Sequence, residues 1–235
     1  MWAITARMAD LSIIIPTLNA GEGLRRCLPP LAAFDALNLV HEVIFADGGS
    51  TDDTLAVAEA AGARVVSSER GRGQQLAAGA AAAQGRWLLF LHADTALETR
   101  WQEVVWPFMN DLGNAKHAGY FRFKLDEARN RARLLERLVA TRNRLFVLPY
   151  GDQGLLISRD FYRDIGGYNS MPLMEDVDII RRIGRRHLFR LESDAVTSAS
   201  RYSRDGYLLR PIRNLLCLSL YFLGVSPRAI VKLYG

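Results

Sequence analysis

Residues 11–91 alternate between short apolar runs and amphipathic stretches, and this rhythm restricts the fold more than any other feature of the sequence. A β-α-β-α-β-α-β order favours a parallel sheet with right-handed crossovers and helices on both faces. Ligands then bind at the carboxyl ends of the strands. The predicted strands are residues 11–15, 43–46, 64–67 and 87–91, and the predicted helices are residues 21–37, 51–61 and 74–83.

Beyond Asp94 the pattern changes to longer helices with fewer strands. Apolar residues recur at helical spacing from Leu97 to Leu112, which predicts an amphipathic helix there. Further along, the sequence predicts strands at 120–125 and 155–157 and helices at 134–146 and 176–186. We expect an N-terminal extension over residues 1–10, one domain over 11–206, and a C-terminal helical tail over 207–235.

The tail contains an apolar run, Leu215–Val225, that is too short to span a bilayer. Arginine and lysine residues flank the run on both sides, at Arg210, Arg213, Arg228 and Lys232. Two interpretations follow: the tail packs on the domain, or it lies at a membrane surface as an interfacial helix.

The net charge is +5, from 30 Lys+Arg against 25 Asp+Glu, which suits phosphate-bearing ligands or an anionic membrane. No basic block is interleaved with stacking aromatic residues, so nucleic acid is not an expected partner. Two cysteines, Cys27 and Cys217, argue against a disulfide framework and a structural zinc site. The first ten residues lack the apolar core of a signal peptide, and we expect a cytoplasmic protein, or one bound to the inner face of the cell membrane.

Carboxylates stand at predicted strand ends or in loops, at Asp47, Asp94, Asp152 and the pair Glu175-Asp176. Carboxylates grouped in one crevice repel each other, and a divalent cation bridging a diphosphate would compensate for this. Mg²⁺ and Mn²⁺ prefer oxygen ligands and take one or two carboxylates beside phosphates. Each acid also has a structural interpretation. Asp94 suits a helix cap before Leu97, and Glu175 and Asp176 suit the first turn of a helix as well as the role of a general base.

A Gly/Arg loop, Arg70-Gly71-Arg72-Gly73, precedes a predicted helix. Such a loop lets the backbone approach a phosphate at a helix N-terminus, although a surface loop has the same composition. His92 is the histidine of interest, since it lies two residues before Asp94. The sequence has no nucleophile elbow, Walker A loop or GxGxxG after the first strand, which disfavours hydrolases, P-loop proteins and dinucleotide-binding enzymes.

Taken in order, four segments resemble the motifs of family 2 glycosyltransferases. They are Ser12–Asn19 with its Pro-x-x-Asn turn, Ala46–Asp52, His92-Ala93-Asp94 at the Asp-x-Asp position, and Glu175-Asp176. The resemblance spans roughly residues 11–190 and is most specific for the bacterial subgroup known as "transferase 2, rSAM/selenodomain-associated". It implies a GT-A fold, an α/β domain whose mostly parallel central sheet is flanked by helices, followed by the C-terminal helical tail.

The resemblance also implies roles by position. Asp176, with Glu175, would be the catalytic base, and Asp94, with His92, would hold Mg²⁺ or Mn²⁺. Gly151, Asp152 and Gln153 would line the acceptor side. The residues implied to bind the nucleotide-sugar are Pro16, Thr17, Glu22, Asp47, Arg70, Arg72, Gln75 and Ala93.

The implied reaction is the inverting transfer of a sugar from a nucleotide-diphosphate sugar to a hydroxyl acceptor. The expected donor is a UDP-sugar, with a GDP-sugar as the second choice. The acceptor is not identified, and lipid-linked compounds are among the candidates. Two positions depart from the family pattern: Gly48 replaces the second acid of the usual Asp pair, and His92 replaces the first acid of Asp-x-Asp. Two alternatives stay open. One is a nucleotidyltransferase of similar fold, and the other is a non-catalytic protein that binds nucleotide-sugars.

Overall fold

The computed structural model describes residues 10–32, 39–200, 202, 206–207 and 209–234. The expected extension over residues 1–9 and residues 33–37 of the first predicted helix lie outside these ranges. The strands are β1 (Leu11–Thr17), β2 (Val40–Asp47), β3 (Arg64–Ser67), β4 (Trp87–Phe90), β5 (Thr95–Leu97), β6 (Ala118–Leu125), β7 (Leu155–Ser158) and β8 (Leu188–Thr197). The α-helices are α1 (Gly21–Ala32), α2 (Thr54–Ala60), α3 (Arg72–Ala82), α4 (Gln102–Asn110), α5 (Asn130–Phe146), α6 (Arg159–Asp164), α7 (Glu175–Ile183), α8 (Leu209–Phe222) and α9 (Pro227–Tyr234).

The described strands form one mixed sheet of eight strands in the order β3-β2-β1-β4-β7-β6-β8-β5. The half built from β1 to β4 is parallel, as the alternation of strands and helices predicts. Strand β7 joins β4 and β6 in antiparallel fashion, and β8 runs parallel to β6. The expected α/β class with a helix-flanked sheet is therefore confirmed, and the antiparallel pairs lie in its second half.

The region after Asp94 differs from the predicted helix. Thr95–Leu97 is a short strand that pairs antiparallel with β8, and the helix begins only at Gln102. The prediction of a helix from Leu97 was wrong because Leu97 is buried against β8 partners and not on a helical face. Strand β8 itself was not predicted, since its charged outward positions interrupt the apolar run.

Strand β1 explains why the sheet is covered on both faces, since its apolar residues from Leu11 to Ile15 are all fully buried. Ile13 and Ile15 pack on one side with Trp101, whereas Ile14 packs on the other side with Leu76 of α3. A continuous apolar strand of this kind requires helices on both faces. The carboxyl ends of β1, β2 and β4 consequently meet at one edge of a covered sheet.

The C-terminal helix α8 packs on the second half of the sheet through Cys217 and Leu218, which are buried in the same core as Ile14 and Ile180. Its remaining apolar side chains are largely exposed. Within the described residues, no helix combines the length and the apolar character needed to cross a bilayer. The boundaries of the predicted tail stay a prediction.

Candidate active site

A cleft of about 490 Å³ lies at the carboxyl ends of β1 and β4. Three segments that are distant in sequence form its walls: the turn after β1, the loop that begins α3, and the turn after β4. Nine of the predicted site residues line it, namely Pro16, Thr17, Glu22, Arg70, Arg72, Gln75, His92, Ala93 and Asp94. The structure thus brings the predicted donor and metal residues together in one cleft.

Asp47 is buried beneath Thr17 and does not line the cleft. Its carboxylate accepts hydrogen bonds from Thr17 Oγ1 at 2.9 Å, from Ser50 Oγ at 2.5 Å, and from the backbone amides of Gly49 and Ser50 at 2.9 Å each. Burial would raise the pKa of Asp47, but these hydrogen bonds outweigh it and hold the pKa below its ordinary value. The ionised carboxylate therefore fixes the turn after β2 against β1.

Gln75 acts as a bridge between the same two strands. Its Nε2 donates to the carbonyl of Thr17 at 2.6 Å and to that of Ala46 at 2.9 Å. A side chain at Gly48 would meet the Gln75 amide at 3.1–3.3 Å, so the buried amide takes up the space beside the turn. This contact gives a physical reason why glycine replaces the second acid of the Asp pair at position 48.

The turn His92-Ala93-Asp94 forms the floor of the cleft. Helix α1 approaches it closely, because a Cβ at Gly23 would lie 2.7 Å from the Ala93 carbonyl oxygen. Asp94 is followed directly by β5, and its carbonyl accepts a hydrogen bond from Ser198 at 3.2 Å. The helix-cap interpretation of Asp94 was wrong, since α4 begins eight residues later, at Gln102.

Another part of the cleft lining carries Arg70 and Arg72 at the start of α3, where Gly71 precedes the first helical residue. Arg72 Nη1 forms an ion pair with Glu175 Oε1 at 3.2 Å. Glu175 is only 1% exposed, whereas Arg72 is 37% exposed. Burial raises the pKa of Glu175, the Arg72 guanidinium opposes that shift, and neighbouring Asp176 adds to it. Glu175 consequently holds Arg72 at the edge of the cleft.

Asp176 lies behind His92 at the start of α7. Its Oδ2 accepts a hydrogen bond from the Gly151 amide at 3.0 Å, and its Oδ1 accepts one from the Val177 amide at 2.8 Å. His92, Gly151, Glu175 and Asp176 together line a small cavity of about 10 Å³. A Cβ at Gly151 would collide with His92 Nε2, so this position has no room for a side chain. His92 therefore connects the cleft with the carboxylate predicted to be the base.

The acceptor-side residues separate into two kinds. Gln153 is 1% exposed, donates to the Phe121 carbonyl at 3.0 Å and accepts from Asn143 Nδ2 at 2.9 Å, which anchors the 151–153 turn. Asp152 Oδ1 is buried and has no hydrogen-bond partner among the described residues. Burial raises the pKa of Asp152 to about 6, and the charges of Asp176 and Asp94 add to this shift while Arg142 and Arg72 oppose it.

A metal ion at this site would depend on its substrate for ligands. No cluster of three or more His, Cys, Asp or Glu side chains occurs in the part of the chain that the structure describes. Mg²⁺ and Mn²⁺ are commonly held by one or two protein groups together with substrate phosphates. Asp94, which shares the cleft with Arg70 and Arg72, fits that kind of site and not a preformed protein cage.

Two residues that line the cleft were not predicted from the sequence. Arg26 lies one helical turn after Glu22 on α1, donates to Ser198 Oγ at 3.0 Å, and pairs with Asp126. Ser198 follows β8, the strand that was not predicted. The i, i+4 spacing of Glu22 and Arg26 was the available signal, since it places both side chains on one face of α1.

The chain is similar to known proteins in both sequence and structure. A model of Glycosyl transferase family 2 matches residues 12–169, which is more than half of the chain. The chain belongs to glycosyl transferase family 2. All of the predicted donor and metal residues lie within the matched range, whereas Glu175 and Asp176 lie just beyond it. The narrower resemblance to the rSAM/selenodomain-associated subgroup stays a prediction.

Two curated relatives are similar to part of the chain. A PGL/p-HBAD biosynthesis glycosyltransferase of Mycobacterium bovis (strain BCG / Pasteur 1173P2) is 39% identical over 93 residues, which cover 37% of this chain and 36% of that protein. A glucosyl-3-phosphoglycerate synthase of Mycolicibacterium paratuberculosis is 34% identical over 93 residues, which cover 36% of this chain and 28% of that protein. The aligned part spans about a third of the length of these relatives.

Solved structures show the same fold. TarS 1–349 of S. aureus has a TM-score of 0.63 and 15% identity, covering 96% of this chain and 69% of that one. Glucosyl-3-phosphoglycerate synthase of Mycobacterium tuberculosis, in complex with Mn²⁺, UDP and glucosyl-3-phosphoglycerate, has a TM-score of 0.55 and 22% identity, covering 81% and 70%. The structural neighbours are GT-A glycosyltransferases, which confirms the expected fold.

Proposed function

We propose that this chain is a metal-dependent, inverting glycosyltransferase that moves a sugar from a UDP-sugar to a hydroxyl acceptor. The composition of the cleft carries the proposal, because Arg70, Arg72 and Asp94 line the same cleft and His92 lines both this cleft and the small cavity that contains Asp176. Cations opposite a carboxylate are what a metal-bound diphosphate requires. The complex of Mycobacterium tuberculosis glucosyl-3-phosphoglycerate synthase with Mn²⁺ and UDP-glucose supports the choice of donor.

Asp94, with His92 beside it, would hold Mg²⁺ or Mn²⁺ against the donor phosphates. The ion would supply positive charge that stabilises the departing diphosphate. Arg70 and Arg72 contribute to the same stabilisation from the other wall, and Glu175 keeps Arg72 there through the 3.2 Å ion pair. Thr17 and Glu22 lie at the end of the cleft near β1 and α1, where the nucleoside would bind.

Asp176 is the proposed general base. The two amides that donate to its carboxylate hold it in place. The acceptor oxygen forms a bond with the anomeric carbon while the bond between that carbon and the diphosphate oxygen breaks, and the hydroxyl proton passes to Asp176. A single displacement of this kind inverts the anomeric configuration.

We also infer a lipid-linked acceptor and contact of the C-terminal helices with a membrane surface. Exposed apolar side chains on α8 and after it support this inference, among them Leu216 at 52% and Leu223 at 80% exposure. Sedimentation with anionic liposomes of the wild type and of the pair Leu216→Gln/Leu223→Gln is the test. Equal lipid binding by both proteins would contradict the membrane contact.

Thermal shift with nucleotides tests the donor and metal parts together. In the presence of Mn²⁺, we expect UDP or a UDP-sugar to raise the Tm of the wild type more than GDP or dTDP does. We expect this rise to disappear when EDTA is added or when Asp94 is replaced in Asp94→Ala. Ligand at 100 times its Kd would add about 2.7 kcal/mol. A stabilisation that Asp94→Ala leaves intact would contradict the metal role of Asp94, and no stabilisation by any nucleotide would contradict the donor assignment.

A further inference from the structure

An apolar groove of about 730 Å³ lies between α5, α7 and α8, and Asp152 of the 151–153 turn is among the residues that line it. Ile180 of α7 forms part of its floor and is 5% exposed. Its walls are formed by side chains that remain more than half exposed, which are Leu138, Leu145 and Phe146 on α5 and Leu215 and Phe222 on α8. We call this surface the apolar groove.

Among the described residues, exposed apolar side chains are concentrated on α5 and in the C-terminal helices, and five of them line the apolar groove. In the described part of the chain, 16 large apolar residues are exposed, of which four are on α5 and eight lie in residues 209–233. Contiguous exposed apolar surface of this kind marks a binding site more often than scattered exposure does. The groove is therefore a site for an apolar ligand.

The inner end of the groove is polar and adjoins the proposed base. Asp152 and Tyr150 line the groove there, and the intervening residue, Gly151, donates its amide to Asp176. Asp152 Oδ1 is a buried acceptor without a partner among the described residues. Buried acceptors normally have a donor, and a ligand hydroxyl at this end would provide one. A hydroxyl placed there is separated from Asp176 by residue 151, whose amide binds the Asp176 carboxylate.

The charges along the groove restrict the class of ligand. Arg142, Arg181 and Arg185 line it, and Asp152 is the single carboxylate among its described lining residues. Arg142 lies over the Tyr150 ring at 3.6 Å, Arg181 over the Phe222 ring at 5.1 Å, and Arg185 donates to the Leu145 carbonyl. None of the three forms an ion pair with a carboxylate among the described residues. The positive walls suit neutral or anionic amphiphiles and disfavour cationic ones.

We propose that the apolar groove binds the hydrocarbon part of the acceptor and presents the acceptor hydroxyl at Asp152 and Asp176. The proposal rests on the glycosyltransferase function proposed above and adds the site and the chemical class of the acceptor, a neutral or anionic amphiphile with a hydroxyl group. The hydroxyl oxygen becomes bonded to the anomeric carbon, the diphosphate leaves, and Asp176 takes the proton. Asp152 accepts a hydrogen bond from the hydroxyl and thereby orients it.

Binding of n-alkyl β-glucosides tests the groove without any donor. Hexyl, octyl and decyl glucosides are titrated into the full chain by calorimetry, below their micelle concentrations and in EDTA. Burial of each added methylene is expected to raise affinity about twofold to fourfold, the upper value corresponding to full burial. Decyltrimethylammonium, which has a chain of equal length and a cationic head, is expected to bind more weakly than decyl glucoside.

Two paired variants locate the binding. Leu138→Gln/Leu145→Gln alters the groove, and Leu134→Gln/Leu209→Gln alters side chains of comparable exposure outside it. The groove pair is expected to lose about tenfold in decyl glucoside affinity, because two apolar contacts of the chain are removed. The control pair is expected to stay within about twofold of the wild type. Equal effects of the two pairs, or affinity independent of chain length, would overturn the proposal.

Further readouts separate this inference from the proposed function. If UDP with Mn²⁺ stabilises both variant pairs as it does the wild type while no glucoside binds, the groove assignment fails and the transferase function stands. If no nucleotide stabilises the protein, the proposed function fails whatever the glucosides do. Light scattering identifies a competing occupant, because a wild-type dimer that the groove pair converts to monomer would mean that a second copy covers the groove.

Discussion

Replacing Asp152 with asparagine should make the protein more stable above pH 6 and change its stability little near pH 4. Burial raises the pKa of this carboxyl from 3.8 to about 6, with the negative charges of Asp176 and Asp94 adding to the shift. A raised pKa means that the folded state holds its proton more tightly than the unfolded state. The stabilisation is therefore fully present below pH 4, is lost as the pH rises towards 6, and is absent above it.

The magnitude follows from the size of the shift. A change of about two pKa units corresponds to about 3 kcal/mol of unfolding free energy, and partial exposure of the Asp152 side chain makes this an upper limit. Asparagine keeps the shape of the side chain and carries no titrating group. Residue 152 of the variant should therefore add no pH dependence to the unfolding free energy. For a chain of this size, about 3 kcal/mol corresponds to a difference of about 6–12 °C in Tm.

The assay is thermal unfolding of the wild type and Asp152→Asn between pH 4 and 8, in EDTA and without nucleotide. Asp160→Asn is the matched control, since Asp160 is exposed on α6 and lies outside the 151–153 turn. The quantity to follow is the Tm of the wild type minus the Tm of the variant, as a function of pH. The contributions of other titrating groups cancel in this difference. A difference that stays constant from pH 4 to 8, or one that favours the wild type at high pH, would refute the reasoning.

Two further substitutions test the base and the support of the cleft. Asp176→Asn should lower kcat about 10²-fold to 10⁴-fold, because it removes the proton acceptor. The UDP-dependent rise in Tm should stay intact, because the donor cleft is unchanged. Near-normal turnover would exclude Asp176 as the base. Gln75→Leu should lower stability by about 2 kcal/mol, measured by urea unfolding, since it removes two buried hydrogen bonds to the Thr17 and Ala46 carbonyls. An unchanged unfolding midpoint would show that the bridge contributes nothing.

The parallel half of the fold was predictable because each of its elements carries a local pattern. Strand β1 is a continuous apolar run, and α1 and α3 are separated from their strands by short turns. Strands β5 and β8 have no such signal. Strand β5 is three residues long and exists through its pairing with β8, while β8 alternates buried residues with charged ones that face solvent. Pairing between distant segments decides both, and this is not a property of either segment alone.

The candidate site was predictable to a similar extent. Residues at the end of a strand or shortly after it, such as Thr17 and Asp94, fall at one edge of the sheet once the strands are parallel. The buried amides could not be identified in this way. Gln75 donates to Thr17, 58 residues away, and Gln153 donates to Phe121, 32 residues away. A glutamine that bridges two backbone carbonyls has no characteristic spacing in the sequence, so its role appears only in three dimensions.

The contacts between the two halves of the sheet explain why the donor cleft and the proposed base keep a fixed relation. Arg72, from the parallel half, is paired with the buried Glu175, and Gly151 is packed against His92 while its amide holds Asp176. Moving Arg72 away would leave the buried Glu175 carboxylate without its cation, so the arrangement resists separation of α3 from α7. A diphosphate that draws on Arg72 would compete with Glu175 for it. In the proposed mechanism, donor binding would thereby be linked to the carboxylate next to the base. Glu175 and Asp176 would then have distinct roles, since Glu175 would position Arg72 and Asp176 would take the proton.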